Sequence, residues 1–135
     1  MRESEQIARA ILLWAGVSGA IGVILGSFGA HGLDAFLLER GYDADLVIKR
    51  VGQWDVGVRY QLIHSVALFA LAAVPFGSDA NRRWVARLML AGLLFFSGSL
   101  YLLVLTNLTI LGAVAPLGGL SWIIAWLLLT RMAVT

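Results

Sequence analysis

Formal charge is missing from three long stretches of this chain, and that distribution constrains the fold more than any other feature. Residues 10–33 form a run of 24 without Asp, Glu, Lys or Arg, residues 60–78 a run of 19, and residues 88–130 a run of 43. A helix needs about 20 mostly apolar residues to cross the hydrocarbon core of a bilayer. The first two runs therefore fit one span each and the third fits two. The break in the third falls at 106–112, where Thr106, Asn107, Thr109 and Gly112 lower the apolar density. These runs describe an all-α integral membrane protein with four transmembrane helices in a bundle, at about 10–31, 60–77, 86–106 and 112–131, in a single membrane domain over 1–135.

Composition excludes the other classes. Only 13% of the residues are charged and 60% are hydrophobic, whereas a soluble domain carries about 25% charged residues. A chain this short cannot hide so much apolar surface from water. With no cysteine it is not a disulfide-stapled module. A closed β-barrel would need alternating segments of about ten residues, and none is present. The first run is longer than a cleavable signal's apolar core, and Glu3 and Glu5 dilute the basic flank, so it reads as a retained span.

Four spans put the N-terminus, the 78–85 loop and the C-terminus on one side. That side carries Arg2, Arg9, Arg82, Arg83, Arg87 and Arg131, while the other carries Arg40, Lys49, Arg50 and Arg59. The positive-inside rule then places both termini in the cytoplasm, and Trp14, Trp84 and Trp126 fall near the inner interface as an aromatic belt. No basic cluster with interleaved aromatics points to nucleic acid.

Residues 34–59 form the one substantial polar stretch. Gly41 divides it, and beyond Gly41 the residues Val47, Val51, Trp54 and Val58 recur at helical spacing within 43–58. This pattern is expected to form an amphipathic interfacial helical segment between helices 1 and 2. The same stripe fits equally well a helix that caps the bundle with its apolar side turned toward protein.

Span one places Ala15, Gly19, Gly22, Gly26 and Ala30 on one helical face. In lipid, helices associate by close packing, and small faces let backbones approach. Gly98, Gly118 and Gly119 are assigned the same packing role in spans three and four. Gly112 and Pro116 suggest that span four starts irregularly or is kinked near its outer end.

The two histidines, His31 and His64, are expected at similar depth beneath the outer face. Gln61 shares the helical face of His64, and Ser97 and Tyr101 lie one turn apart in span three. A cluster of His31, Gln61, His64, Ser97 and Tyr101 near the outer mouth is open to three readings. It is a hydrogen-bond network tying helix ends together, a ligand or metal site, or a proton or solute path. Two imidazoles can ligate a metal or haem, but the usual further protein ligands are missing, so no metal site or cofactor is assigned. Intramembrane acids and bases that would mark a path are absent beyond these histidines. No catalytic motif is present.

Four segments occur in order along the chain: GSFGAHGL at 26–33, WDVGVRYQLIHSVALF at 54–69, FFSGSLYLLVLT at 95–106 and LGAVAPLGGLSWIIAW at 111–126. Together they resemble the domain of unknown function 423 family, whose eukaryotic relatives include transmembrane protein 256. The matching positions are Gly29, His31, Gly32, Tyr60, Gln61, His64, Ser97, Gly98, Ser99, Tyr101, Pro116, Gly118 and Gly119. Asn107 stands where the family pattern suggests Gly, and Val114 and Ala115 stand where it is more Thr-like. The resemblance implies a small four-span protein of bacterial inner membranes and carries no biochemical activity. The expected role is a non-enzymatic structural or accessory one, through helix packing with itself or with partner membrane proteins in the lipid bilayer. The alternative is a small-ligand, quinone, metal or haem binder using His31 and His64, and a third is a minimal oligomeric transporter.

Overall fold

The computed structural model describes residues 2–134, and among them every regular element is helical. In chain order these are α1 (Glu3–His31), α2 (Leu33–Glu39), α3 (Ala44–Ala73), α4 (Asp79–Gly92), a π-helical segment (Leu93–Gly98), α5 (Ser99–Thr106), a 3-10 turn (Thr109–Ala113) and α6 (Ala115–Val134). The stretch α4–π–α5 is one continuous rod over Asp79–Thr106, so four helices are long and apolar enough to cross a membrane. Side chains close the helix starts where the sequence offers them. Asp43 accepts from the Leu46 N–H at the start of α3, and Ser78 from the Asn81 N–H at the start of α4. Span four does begin irregularly, through the 3-10 turn that precedes α6.

Helices α1 and α3 pack antiparallel along their lengths. Going along α3, Trp54 bonds the Leu25 carbonyl, Gln61 bonds the Ser18 carbonyl, and Leu68 joins the core cluster of Ile7 and Ile11. Residues 54–68 of α3 thus lie alongside the uncharged run of α1. The small face of α1 is buried in this seam. Gly19 lies against Ser65, Gly22 against Leu62 and Gln61, and Gly26 against Val58, while Ala15 is buried and Ala30, beyond them, is exposed.

This register moves the outer boundary of span two. The expected span began at residue 60, but α3 starts at Ala44 and runs without a break into it. Val47, Trp54 and Val58 are buried and Val51 is half-buried, so the apolar stripe turns toward protein. The charges within α3 did not mark an interface, because they are accommodated one by one. Arg50, only 4% exposed, donates to Asn107 and to Gln53. Asp55 pairs with Arg59.

The segment after α1 also closes the outer end of α5. A helix leaves its last carbonyls without partners, and in a membrane protein they must be met internally. Arg40 donates to the Leu105 carbonyl and Tyr42 to that of Val104. Asn107 follows in the left-handed region, with φ of 58°, and its N–H bonds the Leu103 carbonyl. That conformation favours Gly and tolerates Asn, which explains why Asn stands where the family pattern suggests Gly. Asn adds an acceptor for Arg50 that Gly lacks. Asn107→Gly is therefore expected to keep the turn but cost about 1–3 kcal/mol by leaving a buried guanidinium short of an acceptor. Asn107→Ala is expected to cost more, since it also strains the backbone. Thermal unfolding of both variants in mild detergent checks the order.

At the opposite end, Glu3 accepts from Arg83 and Met132 packs beside Gly77 and in the cluster of Ile7 and Val85. The start of α1, the 74–78 connection and the end of α6 therefore share one end of the bundle.

Candidate functional site: a closed polar and aromatic layer

The uncharged run of α1 is centred near residues 21 and 22, and Gln61 sits against Ser18 and Gly22. Gln61 thus lies halfway along the spans, not near the outer mouth. The correction follows from the early start of α3, which carries residue 61 about ten residues deeper than the charge gap suggested. Around it the polar groups form a chain. The Ser18 and Ser65 hydroxyls are 2.7 Å apart, and Ser65 also donates to the Gln61 carbonyl. The Gln61 amide donates to the Ser18 carbonyl at 2.8 Å and accepts from the Tyr101 hydroxyl at 2.7 Å. One turn along α3, Ser97 donates to the Gly57 carbonyl at 2.7 Å.

The π-helical segment sets the register of Ser97 and Tyr101. A π turn disturbs the usual ladder of backbone bonds, and in lipid the loosened carbonyls need other donors. Ser99 supplies one hydroxyl to two of them, at 2.6 Å to Phe95 and 3.0 Å to Phe96. The segment lets α6 approach closely, because Gly118 lies directly on the backbone of Phe95 and Phe96. The π segment itself has no signal in the sequence, although the run Ser97, Gly98, Ser99 supplies both the small residue and the hydroxyls it uses.

His64 stands one turn along from Gln61 and is 4% exposed. Its ring stacks on Trp122 with centroids 3.8 Å apart and planes at 4°. Tyr60 and Phe96 pack against the same Trp122. Both imidazole nitrogens are engaged. Nδ1 lies 2.7 Å from the Tyr60 carbonyl, and Nε2 lies 3.2 Å from Trp126 Nε1. A carbonyl only accepts and an indole N–H only donates. The ring is therefore neutral, with its proton on Nδ1. Trp126 is 45% exposed and turns its indole N–H onto His64. Trp122 donates to the Met89 carbonyl at 3.0 Å, which fixes the stacking platform.

The structure brings Gln61, His64, Ser97 and Tyr101 into one layer and leaves His31 out of it. His31 is exposed at the end of α1, and no side-chain hydrogen bond, ion pair or ring contact reaches it among the described residues. The two histidines are not at similar depth: in the register set by Trp54 on Leu25 and Gln61 on Ser18, His31 falls beside the start of α3, about 16 residues along it from His64. No group of three or more His, Cys, Asp or Glu able to hold a metal occurs among the described residues. The sequence reading missed Ser18, Ser65, Trp122 and Trp126. Their signals were the i, i+4 spacings of Trp122 with Trp126 and of Tyr60 with His64, which mark single helical faces.

Of the residues assigned to helix packing in spans three and four, Gly118 makes the close approach. A Cβ at Gly98 or Gly119 would meet its nearest atoms at 3.8 or 3.9 Å, ordinary contact distances. Close approaches also occur at Gly29 against Trp54 and at Gly92 against Trp122.

Four long apolar helices closed by an internal polar layer define a polytopic helical membrane protein. The chain belongs to the family described as Protein of unknown function (DUF423), whose model matches residues 25–119. It is 35% identical over 131 residues to the UPF0382 membrane protein YwdK of Bacillus subtilis, covering 93% of this chain and 97% of that protein. It is 39% identical over 104 residues to a UPF0382 membrane protein of Staphylococcus haemolyticus, covering 77% of this chain and 78% of that one. No solved structure matches the chain.

Proposed function

We propose that this is a non-enzymatic accessory protein of the bacterial inner membrane, with both termini in the cytoplasm, acting through helix packing with other membrane proteins or with itself. The observation that carries this reading is the closure of the mid-span layer. Gln61 spends its amide on Ser18 and Tyr101, and His64 spends both nitrogens on Tyr60 and Trp126. A metal, haem or quinone at His64 would have to displace Trp126 first. The end shared by the two termini carries Arg9, Arg82, Arg83, Arg87 and Arg131, which supports a cytoplasmic placement under the positive-inside rule.

Affinity purification from native membranes in mild detergent tests the role. The expected result is a stoichiometric membrane partner or a defined self-assembly, in colourless and metal-free protein. Stoichiometric haem, quinone or metal, lost on His64→Ala, would replace this reading with the binding one. A reporter fused at Thr135 that is active only in the cytoplasm tests the orientation.

A further inference from the structure

Asp55 and Arg59 form a 2.5 Å ion pair on the outer surface of α3, with side chains 62% and 64% exposed. Arg59 is two residues from Gln61, which lies at the middle of the spans. At a rise of 1.5 Å per residue, Arg59 sits roughly 3 Å from the mid-level and Asp55 roughly 9 Å from it. Both lie within the hydrocarbon thickness of about 30 Å. The neighbours on this face are apolar and exposed: Ile48, Val56, Ile63 and Val66. The other charges among the described residues either lie toward the helix ends or, like Arg50, are buried with acceptors. Charged groups inside a membrane normally face protein or water and are paired there.

The pair is only partly satisfied within the chain. One guanidinium nitrogen, Nη2, meets one carboxylate oxygen, Oδ2. Asp55 Oδ1 and Arg59 Nε and Nη1 have no partner among the described residues, and lipid offers none. We propose that this face is covered by the same face of a second copy, so that Arg59 of each copy reaches Asp55 of the other. One acid and one base a helical turn apart are self-complementary about a two-fold axis along the membrane normal, as an isologous interface requires. The resulting quartet carries no net charge. Arginine has five donors in a planar fork and can bridge two carboxylates. The surface also permits close approach. Gly52, on the same face, has open space where a side chain would start. A groove of about 230 Å³ opens beside Asp55, with Gly26, Gly29 and Ala30 along its floor. This proposal deepens the reading that the protein acts through helix packing, and names one partner for it.

Native membranes holding single-cysteine variants test it, since the chain has no cysteine of its own. Gly52→Cys and Val56→Cys lie on the face, and Leu102→Cys is an exposed α5 control near the level of Asp55. Under mild oxidation the first two are expected to give at least fivefold more product of twice the monomer mass than the control. Adding Asp55→Asn and Arg59→Gln together, which keeps side-chain volume, is expected to lower that product several-fold. If the double variant fails to fold, the comparison of Gly52→Cys with Leu102→Cys in the otherwise unchanged chain decides. Equal crosslinking at Gly52→Cys and Leu102→Cys would overturn the proposal. So would crosslinking to a protein of another mass, or rapid labelling of Val56→Cys by a membrane-impermeant maleimide, which would mean that water covers the face. A negative result here leaves the recovery of a different partner by native purification open, so the two readings fail separately.

Discussion

Gly118→Val is expected to yield no folded bundle, and Gly118→Ala a bundle destabilised by about 3 kcal/mol or more. A Cβ at this position would overlap the Phe96 backbone nitrogen and come within 2.8 Å of the Phe95 carbonyl carbon. Backbone atoms cannot rotate aside as a side chain does. To admit one methyl group, α6 must back away from the π segment, and Trp122 then loses its bond to Met89 and its stack on His64. The adjacent residue supplies the control. Gly119→Ala places its Cβ 3.9 Å from the Phe96 ring and is expected to stay within about 0.5 kcal/mol of the parent, as ordinary substitutions away from tight sites do. The measurement is the temperature at which each detergent-solubilised variant stops eluting as a single species. If Gly118→Ala and Gly119→Ala lose that species together, α6 does not approach as closely as described.

The second large effect falls on Gln61. Gln61→Leu keeps nearly the same volume but leaves the Tyr101 hydroxyl without its acceptor and removes the amide bond to Ser18. Interhelical hydrogen bonds within membranes average below about 1 kcal/mol each, but an orphaned buried group adds its own desolvation cost. A total of about 1–3 kcal/mol is expected. Tyr101→Phe removes the orphan from the other side. The double variant Gln61→Leu with Tyr101→Phe is therefore expected to cost less than the two single losses added together. Simple additivity in the same unfolding measurement would mean that the two side chains do not share a bond.

The number of spans and the small face of span one were legible in the sequence because both depend on residue type and period alone. Charge gaps found four helices, and the recurrence of Ala15, Gly19, Gly22 and Gly26 found the face that meets α3. Depth and rotation were less legible. A charge gap locates a span only if every charge within the membrane is excluded, and α3 carries charges inside it in two arrangements. Arg50 is buried on Asn107 and Gln53, while Asp55 and Arg59 face one another. Span two therefore starts earlier than the gap suggests, and the cluster drawn around Gln61 shifts from the mouth to the middle. His31 fell out for the same reason: with α3 starting at Ala44, His64 lies deep in the bundle while His31 stays at the outer end of α1. The π segment could not be read at all, since an extra residue in a turn leaves no periodic trace. Trp122 and Trp126 were readable as one face of span four, but only the fold shows that this face meets His64.

The most direct test is the state of His64 in lipid. Nitrogen-15 NMR of histidine-labelled protein in bilayers, with His31→Gln to leave one imidazole, reports the protonation of each ring nitrogen. The expected spectrum is a neutral ring protonated on Nδ1, with Nε2 accepting a hydrogen bond. That spectrum should be unchanged by zinc, haem or a quinone, and should shift at Nε2 when Trp126 becomes Phe. A ring protonated on Nε2, or an Nε2 signal that moves on adding one of those ligands, would contradict a closed packing layer and make His64 a binding residue.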